Sequence, residues 1–108
     1  MMARTPTPPY VAVIFSSQRP DGDDGYRAMA ERMVALAEVQ PGFLGVESAR
    51  DASGFGITVS YWTDEAAALI WRANAEHREA QRLGKERFYK SYALRVATVG
   101  RQHLEGTD

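Results

Sequence analysis

The sequence predicts a single α+β domain whose elements follow the order β-α-β-β-α-β. Four short runs are rich in β-branched and aromatic residues, and two longer segments repeat apolar residues at helical spacing. Turns containing Pro, Gly or Asp separate these segments, and 108 residues are enough for one domain. This order is that of the ferredoxin-like motif, in which two helices cover one face of a four-stranded antiparallel sheet.

The first half of the chain predicts one strand and one helix. The strand is expected from Tyr10 to Ser17, because this run is almost entirely apolar at its centre. A loop of Pro, Gly and Asp follows, and Asp23 or Asp24 is expected to cap the helix. The helix carries one apolar stripe, made of Tyr26, Met29, Ala30, Met33, Val34 and Ala37. The Pro41–Gly42 pair is expected to end it.

The second half predicts a hairpin and a second helix. Phe43 to Arg50 and Phe55 to Trp62 are two strands joined by a short turn. Thr63 is expected to cap the second helix, whose first turn is acidic. Helical character continues to about Phe88, with a break expected near Asn74, a weak helix former.

The first strand and the last, Tyr92 to Val99, are apolar on both faces. An antiparallel sheet with one wet face alternates apolar and polar residues, but here both alternating sets are apolar. The helices cover only one face, so we expect a second copy to cover the other, giving a homodimer with the architecture of a dimeric α/β-barrel. A partner protein or a larger ring is the alternative.

Composition limits the function classes. The chain is 44% hydrophobic and 25% charged, with a net charge of −1, which gives no electrostatic reason to expect nucleic acid. There is no cysteine, no signal-like apolar region and no run long enough to span a membrane. We expect a cytoplasmic protein without membrane contact. Residues 1–8 are interpreted as a flexible arm, 9–101 as the domain and 102–108 as a tail.

Trp71, Asn74 and His77 are the candidate catalytic residues. His77 shares a helical face with small or apolar residues and is expected to point inward, where an imidazole can act as a general base, haem ligand or proton shuttle. Trp71 lies six residues earlier and would point away from His77 on an unbroken helix. The break near Asn74 is therefore needed for a shared cavity. In the alternative interpretation His77 is a hydrogen-bonded, partly buried histidine and Trp71 belongs to the core.

Trp62, Gln81 and Phe88 are the candidate substrate-binding residues. Gln81 and Phe88 share the helical face of His77, and Trp62 and Phe88 belong to an aromatic set at the ends of the helical segment. Such rings can stack on a flat substrate or simply pack together. A strand arginine such as Arg50 can clamp an anion or phenolate, or it can pair with a carboxylate such as Glu47.

Four segments resemble the antibiotic biosynthesis monooxygenase family, over roughly residues 9–101. They are the QPGFLGVES entry to the second strand, the YWTDE junction, the spacing of Trp71 and His77, and the LGKERFYKSY exit. The chain looks most like the widespread bacterial subgroup of uncharacterised members. The resemblance implies a small dimeric ferredoxin-like protein.

The resemblance also implies one of two activities: oxidation of phenolic or quinol-type rings by O₂ without metal, flavin or haem, or oxidative haem breakdown. Haem-degrading members carry an asparagine in the first strand and a ligating histidine ten residues after the tryptophan, where this chain has Gln81. We therefore expect a monooxygenase that uses no cofactor on a small aromatic ligand, with His77 as base and Asn74 orienting a substrate oxygen. The alternatives are a dimeric small-molecule binding protein without catalysis and a haem-binding or haem-degrading monooxygenase.

Overall fold

A computed structural model describes residues 2–20, 22, 25–74, 78, 81–83 and 88–106. Its elements confirm the predicted order, and the second and third strands begin and end at the predicted residues. No helix within these ranges is long and apolar enough to cross a membrane. The bounds are β1 Tyr10–Gln18, α1 Tyr26–Glu38, β2 Phe43–Arg50, β3 Phe55–Trp62, α2 Glu65–Ala73 and β4 Ser91–Val99.

The sheet has the strand order β2-β3-β1-β4, and all three neighbouring pairs are antiparallel. β1 is therefore central, with Val11 opposite Trp62 of β3 and Thr98 of β4. The connection through α1 skips over β3, because β2 lies on the far side of that strand. This split β-α-β arrangement confirms the predicted ferredoxin-like fold.

The core lies between one face of the sheet and the two helices. Val13 of β1 and Trp62 of β3 point from the sheet into this layer, and Trp62 is completely buried. They meet Ala37 of α1 and two side chains of α2, Ala68 and Trp71. The small alanines let the helices approach the sheet closely, so the two indoles fill the space between them.

Chain segments outside the core cover one end of the other sheet face. The backbone N–H of Ala3 donates to Oε2 of Glu47 at 3.0 Å. Thr5 and Tyr10 both hydrogen-bond Gln102, which links the N-terminal segment to the C-terminal one. Tyr10 is consequently only 5% exposed.

The predicted cap of the second helix is wrong by one residue, and the predicted caps of the first lie outside the described residues. α1 begins after Gly25, which adopts a left-handed conformation with φ of 83°, whereas Asp23 and Asp24 lie outside the described residues. α2 is capped by Asp64, whose carboxylate accepts a hydrogen bond from Ala67 N at 2.8 Å. Thr63 therefore lies one residue before the cap, and its backbone N–H donates to the Gly42 carbonyl at 2.8 Å.

The expected break near Asn74 is confirmed. Asn74 follows the last residue of α2 and has φ −58° and ψ 131°, an extended conformation. Its carbonyl accepts a hydrogen bond from Arg78 N at 2.9 Å, and Arg78 and residues 81–83 are again helical. Asn74 therefore separates two helical segments, so side-chain directions cannot be counted through it at 100° per residue.

Candidate functional site

One aromatic group, here called the tryptophan cluster, consists of Phe43, Trp62 and Trp71. The two indoles are stacked, with ring centroids 6.0 Å apart and planes inclined by 24°. Phe43 meets Trp62 edge-on at 5.6 Å. The indole Nε1 of Trp62 donates to Oγ of Ser60 at 3.0 Å, so the only polar atom of this buried ring is satisfied.

Trp71, a predicted catalytic residue, belongs to the core. Its side chain is 7% exposed and packs with Ala68 of its own helix and with Val13 of the sheet. In this position Trp71 contributes buried apolar area and stacking.

The remaining predicted residues of this region follow the helix break. Asn74 is half-buried, and its backbone N–H donates to the carbonyl of Trp71 at 3.1 Å. Gln81 is half-buried in the second helical segment. His77 lies outside the described residues. The extended backbone at Asn74 removes the constraint that would make Trp71 and His77 point apart on one continuous helix.

A second aromatic group lies at the opposite end of the same sheet face. Phe88 is 3% exposed and meets Tyr26 of α1 edge-on at 5.8 Å. Tyr89 meets Tyr26 at 5.7 Å and Phe15 of β1 at 5.1 Å. With the two arginines described next, these rings form the tyrosine–arginine cluster: Phe15, Arg19, Tyr26, Arg50, Phe88, Tyr89 and Tyr92.

The sequence-based substrate set is therefore divided between two places. Trp62 lies opposite Val11, whereas Lys90, next to Tyr89, donates its backbone N–H to the Gln18 carbonyl. The seven steps from Val11 to Gln18 correspond to roughly 20–25 Å of strand. The described ring contacts of Trp62 are with Phe43 and Trp71, and that of Phe88 is with Tyr26.

Arg50 is held across the sheet in the tyrosine–arginine cluster. Its side chain lies over Gly56 of β3 and reaches Ser17 of β1, where Nη2 donates to Oγ at 2.7 Å and Nη1 to the carbonyl at 3.2 Å. Nη2 also donates to the Tyr26 hydroxyl at 3.2 Å, and Nη1 to the Gly54 carbonyl. A Cβ on Gly56 would lie 2.7 Å from Cζ of Arg50, so this route requires glycine.

The expected pairing of Arg50 with Glu47 is wrong. These residues are three apart on β2, so their side chains leave opposite faces of the sheet. Glu47 accepts hydrogen bonds from the Tyr61 hydroxyl at 2.6 Å and from Ala3 N instead.

Arg19 completes an open cleft beside α1. Its Cζ lies 3.9 Å from the centre of the Tyr26 ring, a cation–π contact, and its Nε donates to the Phe88 carbonyl at 3.2 Å. The cleft has a volume of about 380 Å³ and is lined by Arg19, Tyr26, Arg27, Ala30, Glu31 and Arg50. We call it the arginine cleft.

Two tyrosines have perturbed acidities. Burial raises the pKa of Tyr89, and its hydrogen bond with Tyr26 adds to this effect, while the charges of Arg50 and Arg19 oppose it. Burial and then the hydrogen bond to Glu47 raise the pKa of Tyr61 to about 12. Both phenols are therefore neutral hydrogen-bonding groups at neutral pH and not bases.

The described part of the chain contains no group of three His, Cys, Asp or Glu side chains placed to hold a metal ion.

The site features that sequence reasoning missed are Arg19, the position of Tyr26 and the role of Gly56. The sequence pattern places Tyr26 only in the apolar stripe of α1. The signal for Gly56 was its place directly across from Arg50 in the hairpin, which follows from the turn length.

Comparison with known proteins identifies a matching family model and similar proteins. A family model described as antibiotic biosynthesis monooxygenase matches residues 9–83. The uncharacterized protein YqjZ of Bacillus subtilis is 56% identical over 103 residues, covering 95% of this chain and 90% of that protein. Jasmonate monooxygenase ABM of Pyricularia oryzae is 34% identical over 94 residues, covering 82% of this chain and 42% of that protein.

Solved structures match the fold at low sequence identity. SnoaB, described as a cofactor-independent oxygenase from Streptomyces nogalater, has a TM-score of 0.73 at 16% identity and covers 92% of this chain and 100% of its own. A protein from Shewanella oneidensis has a TM-score of 0.77 at 11% identity, covering 87% of this chain and 94% of its own. At these identities the likeness shows the fold alone.

Proposed function

We propose that this chain, which belongs to the antibiotic biosynthesis monooxygenase family, oxidises a small aromatic or quinol-type substrate with O₂ and without a cofactor. The family match spans Trp62, Trp71, Asn74, His77 and Gln81, the residues to which we assign the reaction. SnoaB shares the fold and is described as a cofactor-independent oxygenase, and we extend that property to this chain.

The observation that supports this proposal most is the helix break at Asn74. It begins three residues after Trp71, whose indole is fixed by stacking on Trp62. In the proposed site the substrate ring binds beside Trp71, under the segment that carries His77 and Gln81. Phe88 packs against Tyr26, and we do not include it in that proposed site.

In the proposed reaction His77 removes a phenolic proton, and Asn74 orients the resulting oxyanion by hydrogen bonding. The anion transfers one electron to O₂, and the two radicals combine to form a carbon–peroxide bond. The peroxide takes back the proton held by His77. Loss of the hydrogen that remains on the same carbon then breaks the O–O bond and releases water, which leaves a quinone carbonyl, so one oxygen atom enters the product and the other leaves as water. A water-poor site strengthens the hydrogen bonds to the oxyanion.

Oxygen consumption with an anthrone substrate tests the assignment of His77. Replacing His77 with Ala should lower turnover by at least about 100-fold, because a positioned general base contributes roughly that much or more. His103→Ala is the matched control, since His103 is the other histidine and its side chain is exposed in the C-terminal segment. Unchanged turnover in His77→Ala would remove the base assignment. Saturable ligand binding without oxygen uptake in the unmodified protein would favour the alternative of a binding protein without catalysis.

Haem does not fit this proposal. The resemblance places the haem-ligating histidine at Gln81, and a carboxamide is not among the side chains that hold haem iron in proteins. Trp71 is also already stacked on Trp62. We therefore derive no step through haem.

We also propose that the protein is a cytoplasmic homodimer joined through the sheet face that the helices leave uncovered. Phe55 and Ile57 on that face are 44% and 42% exposed. Exposed apolar residues on adjacent positions of one sheet face favour a second copy over solvent. The mass of the assembly in solution decides between a monomer and this dimer.

A further inference from the structure

The side of α2 that points away from the sheet is apolar. Counting 100° per residue, four side chains project opposite the buried side of this helix. They are Ala66, Leu69, Ile70 and Ala73, and we call them the outer face of α2. All four are exposed, and the large side chains of Leu69 and Ile70 are 56% and 63% exposed. The outward side of a surface helix is normally polar, so this pattern indicates a helix that meets a partner.

The other long helix, α1, shows the normal pattern on the same side of the sheet. Its exposed residues include Arg27, Glu31, Arg32 and Glu38, so charged side chains are spread along its outward side. The two helices pack on the same face of the sheet, against the same core. The apolar outer face is therefore a property of α2 and not of the helix layer as a whole.

One flank of the outer face of α2 carries a charge of each sign. Glu65 lies in the first turn of the helix and Arg72 in the last. Seven residues are close to two full turns, so both side chains lie on the same flank, roughly 10 Å apart along the axis. Within the described ranges neither side chain forms an ion pair. The surface thus has an apolar centre with one acidic end and one basic end.

We propose that the outer face of α2 binds the same face of a second copy of this chain, with the two helices antiparallel about a two-fold axis. Self-complementary contact of one surface with itself is the usual form of a two-fold interface. With the axis between Leu69 and Ile70, the two Leu69 side chains meet on one flank and the two Ile70 side chains on the other. Ala66 of each copy then lies opposite Ala73 of the second copy.

The two charges favour the antiparallel direction. In this arrangement Glu65 of each copy lies on the same flank as Arg72 of the second copy, about 3 Å away along the helix axis. Two ion pairs of opposite sign therefore border the apolar centre. In a parallel pair the same groups would be two turns apart along the axis, and both charges would stay without a partner.

This contact is separate from the proposed dimer through the sheet. α2 packs on the helix side of the sheet, so its outer face points away from the uncovered sheet face. A helix of nine residues is roughly 13 Å long, and a contact of that length is smaller than a standard stable interface. We therefore expect weak association, which a covalent bond can trap.

Disulfide trapping tests this pairing, because the chain contains no cysteine. Ala66→Cys protein and Ala73→Cys protein, one of them labelled with heavy nitrogen, are mixed in a glutathione redox buffer, and the linked pairs are distinguished by mass. We expect at least about tenfold more of the mixed pair than of either same-residue pair, because copies of one residue lie roughly 10 Å apart along the axis. Ala35→Cys, at an exposed alanine of α1, is the control and should form no preferred pair.

A charge placed in the apolar centre should prevent the pairing. Ile70→Glu, introduced into both cysteine proteins, should lower the yield of the mixed pair by at least about tenfold, because the contact would enclose a carboxylate among apolar groups. Val39→Glu is the matched control, since Val39 is 75% exposed and lies outside α2. It should leave the yield unchanged.

Charge reversal tests the direction of the helices. Glu65→Arg in both cysteine proteins should lower the yield of the mixed pair by about threefold, the size expected for exposed charge contacts. Glu65→Arg in one protein and Arg72→Glu in the other should restore it, because each contact again joins unlike charges.

Three results would each overturn the proposal: a mixed pair no more abundant than the same-residue pairs, equal yields for Ile70→Glu and Val39→Glu, or no recovery on combining the two charge reversals. None of them depends on oxygen uptake. None can arise from the sheet-face dimer, in which the α2 helices lie on opposite outer sides.

Discussion

The tryptophan cluster and the tyrosine–arginine cluster occupy opposite ends of the same sheet face, yet they differ in chemistry. At one end the indoles of Trp62 and Trp71 stack in a closed core, and the single polar atom of Trp62 is bonded to Ser60. At the other end tyrosine rings alternate with guanidinium groups around an open cleft. The end with the tryptophan cluster is closed to solvent, whereas the end with the tyrosine–arginine cluster presents charged side chains to solvent.

The difference follows from what covers each end. Both helices contribute side chains to the tryptophan end, where Ala37 of α1 and Ala68 of α2 close the layer. The arginine cleft is lined from α1 only by residues of its first two turns, from Tyr26 to Glu31. A charged group can be accommodated only where one side remains open to solvent, because complete burial of an unpaired charge is costly.

The largest expected effect is at the tryptophan cluster. Trp62→Ala should lower the free energy of unfolding by about 3–5 kcal/mol, because it empties a fully buried site. Leu69→Ala on α2, where the side chain is 56% exposed, should cost less than about 1 kcal/mol. Urea denaturation followed by circular dichroism measures both. Similar losses in the two variants would contradict the closed core described for this end.

An intermediate effect is expected where Gly56 makes room for Arg50. Gly56→Ala should cost about 1–3 kcal/mol, because the new Cβ would lie 2.7 Å from Cζ of Arg50 and 3.0 Å from the Ala49 carbonyl oxygen. The displaced guanidinium would also lose its hydrogen bonds to Ser17. Gly100→Ala, where an added Cβ meets nothing within 4 Å, is the control. Equal stability of the two variants would show that Arg50 does not need this space.

The third predicted effect is on the pH dependence of folding stability and concerns Tyr89. It is the smallest of the three at neutral pH and the most specific to the tyrosine–arginine cluster. Its pKa is raised in the folded protein, so folding favours the neutral phenol. The resulting stability is fully present below the unfolded pKa of about 10 and is lost as pH rises above it.

Tyr89→Phe should therefore lose less stability than the unmodified protein between neutral and strongly alkaline pH. Tyr61, whose pKa is raised to about 12, contributes part of the same pH dependence of stability in both proteins. Tyr92→Phe, at a residue that is 43% exposed, controls for removal of a hydroxyl. Denaturation midpoints measured from pH 8 upward decide the question. Parallel curves for the unmodified protein and Tyr89→Phe would contradict the assignment.

Local patterns predicted the elements well. The bounds of β2 and β3 follow from runs of strand-forming residues on both sides of a Gly-containing turn, and the break at Asn74 follows from weak helix propensity. The helix caps were harder to predict, because Thr63 and Asp64 are both good capping residues. In the structure Asp64 is the cap, and the backbone N–H of Thr63 donates to the carbonyl of Gly42, which is distant in sequence.

The candidate site was predicted only in part. Asn74 follows Trp71 at the end of α2, whereas Trp62 packs against Trp71 and Phe88 against Tyr26. The separation of Trp62 from Phe88 depends on strand register, which periodicity within one segment does not reveal. The contacts of Arg50 with Ser17 and Tyr26 also depend on how the strands are arranged. β3 lies between β2 and β1, and Arg50 of β2 reaches across it.

The sequence by itself therefore determined the order of the elements, their approximate bounds, the family and the helix break, since each depends on neighbouring residues and turn chemistry. Only the tertiary structure decided that Trp71 stacks on Trp62 and that Arg50 crosses Gly56 to meet Ser17. These contacts join residues far apart in the chain, and their geometry is set by sheet register and helix packing together.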